Sequence, residues 1–273
     1  MYCKKGMRAK LLFVLLTGFV TQSVYSATSP VPPHSVQPVA HTDKPNWNVD
    51  LHTLLSQYVI SLSGFQSWQS TNTKQTINLT PQITKAYVSN PSTQALGTGE
   101  LFVGVYQPIN KTFEWQLGLA LGVTGDTRIN GNIWDDDDSH FNNYSYSYMV
   151  RTTHIDVKGK ILADIGMALI PWVSGGLGFG FNQAHNFTSN PSIFQAVPTP
   201  NFSSNTTVAW NYSIGVGVQL PFTDNWEVGV GYEFANLGKS QLGKAPGQTM
   251  SGSGPVLNQL YTSSVLLNLS YLA

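Results

Sequence analysis

The chain is expected to fold as an all-β, eight-stranded antiparallel up-and-down transmembrane β-barrel, and three observations lead there. Residues Val208 to Phe234, VAWNYSIGVGVQLPFTDNWEVGVGYEF, place an apolar side chain at every second position on both sides of a short break. The interleaved residues are glycine, serine, asparagine and an occasional carboxylate, which suit a narrow polar lumen better than bulk water. The connections between such stretches alternate long, short, long along the chain, as short turns at one rim and long loops at the other require.

Residues 1–26 read as an export signal. Lys4, Lys5, Arg8 and Lys10 precede an apolar run from Leu11 to Val20, and Val24-Tyr25-Ser26 suits cleavage after Ser26. That run is shorter than the roughly 20 residues a spanning helix needs. The signal holds four of the 14 basic residues and no acidic one, so the remainder is net negative. It also holds the only cysteine, Cys3, which excludes disulfides and cysteine-bound metal from the rest. Charged residues make up 10% of the chain, few beside the roughly 25% usual for soluble domains. No basic patch with interleaved aromatics suggests nucleic acid. Residues 27–57, with Pro30, Pro32, Pro33, Pro38 and Pro45, read as a flexible periplasmic leader, and residues 58–273 as the barrel with four long extracellular loops.

The first strand is expected over Tyr58 to Trp68, where Tyr58, Ile60 and Leu62 alternate with Ser61 and Ser63, and a polar loop, Gln69 to Thr98, follows. Gly99 to Tyr106 sends Leu101, Val103 and Val105 outward and Glu100, Phe102, Gly104 and Tyr106 inward. Phe113 to Val123 alternates Phe113, Trp115, Leu117, Leu119 and Leu121 with Glu114, Gln116, Gly118, Ala120 and Gly122. Thr124 to Asn143 reads as the second long loop. Tyr144 to Leu162 is imperfect, because Tyr144, Tyr146, Tyr148 and Val150 share one parity while Ile155, Val157, Gly159 and Ile161 share the other. Either a β-bulge near Arg151 to Thr153 or a strand top projecting beyond the bilayer accounts for that.

Pro171 to Phe181, PWVSGGLGFGF, points Val173, Gly175, Leu177, Phe179 and Phe181 one way, with Pro171 tolerated at the strand start. The third loop is Asn182 to Thr207, and PFTDN closes the hairpin that follows it. Ala235 to Asn258, rich in glycine and serine, is the fourth loop, and Gln259 to Leu272 is the last strand, with Tyr261, Val265, Leu267, Leu269 and Tyr271 outward. Tyr58, Trp68, Trp115, Trp172, Trp210, Trp226 and Tyr271 fall near strand ends, as aromatic girdles do.

From Tyr58 to Ala273 these strands, with glycine-rich runs such as WVSGGLGFGF and WEVGVGYEF, resemble the small Gram-negative outer-membrane β-barrels, the OmpA/OmpX-like or opacity-type surface proteins. The resemblance implies residence in the cell outer membrane, contact with its lipid and lipopolysaccharide, and insertion by the barrel assembly machinery. That family commonly ends on an aromatic residue, whereas here Tyr271 is followed by Leu272 and Ala273.

Parity places Glu100, Glu114, His154, Asp156, Lys158, Lys160, Glu227 and Glu233 in the lumen. An eight-stranded barrel is only wide enough for side chains to fill, so these charges must pair with one another or with trapped water. They form a gate or narrow ion path, or a structural network that plugs the barrel; the width favours the plug. Asp135 to Asp138, near Asn142 and Asn143, lacks the ligand spacing of a calcium loop and reads as a solvated loop tip. His185 with Ser189, and His140 after Ser139, lack the strand spacing that would fix a base beside a nucleophile, while His154 and Asp156 share a strand face with no evident serine partner.

Ile129, Ile133, Trp134, Phe187, Ile193, Phe194 and Phe202 are scattered through the loops, where they form small cores or a contact surface for a host or envelope partner. The sequence therefore points to a non-enzymatic surface protein, structural or adhesive, without cofactor or metal. The alternatives are a small pore or hydrophobic-solute channel and, third, a lipid A-modifying enzyme.

Overall fold

The computed structural model describes residues 57–71, 73–90, 92–196 and 201–273, with the side chains of 66, 68–71 and 92 left outside. The expected signal and nearly all of the leader lie outside the described residues, as does the ring of Trp68. In chain order the strands are β1 (Tyr58–Thr71), β2 (Lys74–Thr80), β3 (Ile83–Ser89), β4 (Ser92–Pro108), β5 (Phe113–Thr124), β6 (Thr127–Asp135), β7 (Asn142–Ala163), β8 (Ile170–Pro191), β9 (Asn205–Pro221), β10 (Trp226–Asn236), β11 (Ser240–Gln241), β12 (Val256–Leu257) and β13 (Tyr261–Leu272). A 3-10 turn, Ser139–Phe141, precedes β7.

Eight of these strands close a ring. The antiparallel order runs β1, β4, β5, β7, β8, β9, β10, β13, and β13 returns to β1 with Leu62 opposite Leu269. The outward set is apolar and uncovered: Leu62, Leu119, Leu177, Trp210, Ile214 and Leu267 are all more than half exposed. In water each would forfeit about 1.5–3 kcal/mol of burial, a sum no small fold tolerates. A hydrocarbon surround removes that cost, which is the physical content of a lipid-facing belt. The inward set is small and polar, and hydroxyls pair across the seam, Ser61 Oγ with Ser270 Oγ at 2.7 Å and Ser67 Oγ with Ser264 Oγ at 2.8 Å.

The irregularity of the fourth barrel strand is an inversion of polarity. On β7 every even-numbered residue from Tyr144 to Lys158 is buried, so the strand keeps one phase throughout. What changes near Val150 is the polarity of each face. Beyond it the interior is aromatic and the exterior carries Ser145, Ser147 and Arg151; below it the interior carries His154, Asp156 and Lys158 and the exterior Ile155 and Val157. This is the strand top standing clear of the bilayer, where the core moves inside. No bulge lies at Arg151 to Thr153. A bulge does exist on the neighbouring strand: Ser147 pairs Thr188 and Met149 pairs His185, so β8 carries one residue more, with Asn186 at φ 56°. Asparagine tolerates that left-handed conformation, and the extra residue turns Phe187 inward.

The expected long loops are partly strand, which corrects their boundaries. Residues 69–98 contain the β2–β3 hairpin and the start of β4, 124–143 contain β6, 182–207 contain the end of β8 and the start of β9, and 235–258 contain β11 and β12. β3 pairs β6 and β6 pairs β7, so the long-loop end rises as a β-sheet crown. Its own apolar core holds Tyr87, Ile129, Ile133, Tyr146, Tyr148, Phe187, Phe202 and Leu260. Tyr87 meets Phe202 with ring centroids 5.4 Å apart, and Phe187 meets Phe202 at 5.1 Å, both edge to face. Of the loop hydrophobics, Ile129, Ile133, Phe187 and Phe202 thus build a core, Trp134 lies under Lys74 Nζ at 5.0 Å, and Ile193 and Phe194 stay exposed.

One girdle residue is misplaced by the sequence reading. Trp172 is 6% exposed and points into the lumen, where Trp210 and Trp226 point out. Its even position on β8 shares the face of Gly176 and Gly178, and glycine makes its room: a Cβ at Gly217 or Gly231 would lie 2.5 or 2.6 Å from its Cζ2. At the short-turn end Trp226 and Tyr271 do face outward and meet at 5.0 Å.

Candidate functional site: the lumen bridge and the crown

Register explains why β7 can carry so many large charged side chains inward. His154 stands opposite Gly122 on β5, Asp156 opposite Gly178 on β8, and Lys158 between Gly118 and Gly176. A Cβ at Gly122 would lie 2.2 Å from His154 Nε2, and one at Gly178 would lie 2.3 Å from Asp156 Oδ1. Glycine on both flanking strands is therefore what lets the charged chains reach across a barrel of this width.

Lys158 bridges the lumen. Its Nζ donates to Glu100 Oε1 at 2.7 Å and Oε2 at 3.1 Å, and to Glu233 Oε2 at 2.7 Å, so one ammonium ties β7 to β4 and β10. His154 Nε2 approaches Glu100 Oε2 at 3.9 Å and Asp156 Oδ2 at 3.7 Å, longer than a direct hydrogen bond. A second set lies toward the short turns. Lys160 Nζ donates to Gln219 Oε1, Gln219 Nε2 donates to Glu227 Oε2, and the same ammonium sits 4.9 Å over the Trp172 ring. Glu114 is half-buried and forms no ion pair among the described residues.

Sequence reasoning did not single out Gln219 as the lumen partner of Lys160 and Glu227. Its parity was readable, but an amide becomes a partner only once strand register brings a charge opposite it. Two small cavities flank the bridge, of about 50 Å³ and about 20 Å³, and Glu100 and Glu233 line both. Each has room for water. His154 Nδ1, Asp156 Oδ1 and Asn268 Oδ1 are buried without a protein partner, and water in these spaces would satisfy them.

At the crown the acidic run is divided among separate partners. Asp135 pairs with Lys85 and accepts from Asn143, Asp137 pairs with Lys74 at 2.9 Å, and Asp138 accepts from His140. Asp136 and Asp137 adopt positive φ, which spreads the carboxylates around a turn. Among the described residues no cluster of His, Asp and Glu could hold a metal ion. His185 Nε2 lies 3.2 Å from Asp126, which also accepts two hydrogen bonds from Arg151. Those Arg151 bonds hold the Asp126 carboxyl below its ordinary range, with His185 adding to them. Ser189 Oγ reaches Asn201.

A closed antiparallel ring with an apolar exterior, a polar packed lumen and loops long at one rim only defines the class: a membrane-spanning β-barrel. Residues 53–271 match the outer membrane protein beta-barrel domain family, so the chain belongs to it and resides in the cell outer membrane. Among curated proteins none matches the chain significantly. Among solved structures it is similar to the Neisserial surface protein A, at 11% identity over 78% of this chain and 96% of that one, with a TM-score of 0.36. It is also similar to Ail, the attachment invasion locus protein of Yersinia pestis, at 12% identity over 80% and 98%, with a TM-score of 0.36. The outer membrane protease OmpT from Escherichia coli is similar at 10% identity over 80% and 96%, with a TM-score of 0.44.

Proposed function

We propose that the protein is a non-enzymatic surface protein, with a plugged barrel as its anchor and the crown as its binding part. The observation that carries this reading is the lumen itself: Lys158 spans it between Glu100 and Glu233, and the apolar crown core closes the long-loop end above. On this reading residues 1–26 export the chain, 27–57 stay periplasmic, and the barrel assembly machinery inserts the rest. The long loops face outward, where lipopolysaccharide and a host or envelope partner meet them. The histidines fit the same view, since His185 is engaged with Asp126 and His140 with Asp138.

The test is planar-bilayer conductance of the protein purified from outer membranes, its fold checked by heat-modifiable gel mobility. Electrical silence is expected. Discrete current steps would replace this reading with a pore and make Lys158 its gate.

A further inference from the structure

At the long-loop end the lumen runs up into the apolar crown core, whereas at the short-turn end it stops at an inward ring that nothing among the described residues covers. Val59, Tyr106 and Leu272 form one apolar arc of that ring, and Leu162, Trp172 and Ile170 the arc across from it. Tyr106, Ile170 and Leu272 stay partly exposed, although polar side chains line the lumen above them. Apolar surface left open to water at a mouth is surface a neighbouring segment gains by burying.

The chain enters the barrel on this ring. Tyr106 N donates to the Gln57 carbonyl at 3.2 Å, so the segment 47–56, which lies outside the described residues, is tethered at the mouth. Its sequence, WNVDLHTLLS, sets Trp47, Leu51, Leu54 and Leu55 at i, i+4, i+7 and i+8. In a helix these form one stripe about 100° wide, with Thr53 and Ser56 opposite and Val49 the one apolar residue outside it. A strand continued back from Tyr58 would soon lose its neighbour, because Tyr58 pairs with Val105 and β4 ends at Pro108. A helix this short is marginal in isolation and needs a surface for its apolar stripe.

We infer that residues 47–56 dock as an amphipathic helix across the short-turn mouth and close the lumen there. Eight strands about 4.8 Å apart and tilted about 40° close a ring about 16 Å across, and a helix of this segment is about 15 Å long. β8 stands four strands from β1 in either direction around the ring, so a helix that starts at Gln57 and crosses the mouth ends over Ile170. Leu54 and Leu55 then cover Tyr106 and Leu272, and Trp47 covers Ile170. The tether makes this an intramolecular event, with an effective concentration of about a millimolar, so modest burial holds it. The inference goes beyond the anchor-and-crown reading and does not rest on it, since it concerns the opposite end of the barrel.

The experiment uses the full protein from outer membranes in mild detergent, with Cys3→Ser throughout and Ile170→Cys as the reporter for a charged, water-soluble maleimide. A second background carries Trp47→Ser, Leu51→Ser, Leu54→Ser and Leu55→Ser, which keep the length of the segment. All variants are checked for heat-modifiable mobility. Ile170→Cys is expected to react at least ten-fold faster in the serine background, while Ser251→Cys, exposed in the last long loop, reacts equally in both. Asn48→Cys leaves the stripe intact. Paired with Ile170→Cys it should oxidise to a disulfide in the folded protein, and paired with Leu119→Cys on the lipid-facing belt it should not. Equal Ile170→Cys rates in the two backgrounds overturn the inference and leave the bilayer surface as the seat of the stripe. Absence of the 48–170 disulfide overturns it too, and that pair decides alone if the serine background does not fold. Either failure leaves the crown reading standing, which conductance tests separately.

Discussion

Replacing Lys158 by methionine removes the ammonium and leaves Glu100 and Glu233 buried in the lumen without it. At an effective dielectric near 20, each contact at 2.7 Å represents about 6 kcal/mol of attraction. Desolvation of the three ions offsets most of that, so the intact bridge contributes little net stability. Breaking it from one side is another matter, since both carboxylates keep their burial and lose their partner. About 3–5 kcal/mol of destabilisation is expected for K158M. The neutral triple variant E100Q/K158M/E233Q should regain most of the loss, because it removes the stranded charges with the cation. The assay is urea unfolding in lipid-detergent micelles followed by tryptophan fluorescence. A K158M barrel within about 1 kcal/mol of wild type, the worth of an exposed pair, would refute the reasoning. So would a triple variant less stable than K158M.

The same glycine-to-alanine change should have opposite signs on the two faces. Gly231→Ala forces a Cβ to 2.6 Å from Trp172 and is expected to cost about 1–3 kcal/mol, whereas at Gly175 the nearest atom is 3.8 Å away and alanine should be neutral or stabilising by about 0.4–1 kcal/mol in the same unfolding assay. Asp126→Asn should destabilise the crown by about 0.2–1 kcal/mol at neutral pH, given the exposure of its Arg151 partner. Because the folded-state carboxyl titrates below its ordinary value of 3.8, the stability it contributes is present above that pH and fades as pH falls further. Hydrogen exchange of the crown amides at pH 7 and pH 3 should show the variant's deficit at the first and a smaller one at the second. Tyr87→Ala empties the centre of the crown core at a cost of about 3 kcal/mol or more. Limited proteolysis should then cut the long loops while the barrel keeps its heat-modifiable mobility; loss of that mobility would show that crown and barrel fold as one.

The lipid-facing strands were legible because hydrocarbon imposes a strict rule on the outward residue, as Phe113 to Val123 and Trp226 to Phe234 show. The crown strands obey the opposite rule. Ile77 and Leu79 face inward while Lys74, Thr76 and Asn78 face water, so a search for an apolar exterior passes over β2. Trp172 was assigned to a girdle by its place near a strand end, although its parity with Gly176 already placed it inside. The inward direction of Glu100, Lys158 and Glu233 could be read from parity alone. Their meeting could not, because it depends on the register of strands 58 and 75 residues apart in sequence.

The change of polarity along β7 also measures height. A strand of 22 residues, rising about 3.3 Å per residue and tilted about 40°, covers about 55 Å along the barrel axis. The apolar band of such barrels is about 25 Å tall, so about 30 Å of β7 and its neighbour stand beyond it. The crown is therefore built on the upper halves of β7 and β8, with β6 and β3 continuing the sheet beside β7, and its core stands clear of the apolar band. A partner that seats on the fully exposed Phe194, just past the end of β8, therefore meets protein rather than lipid, at a height where bilayer charge is screened by more than one Debye length.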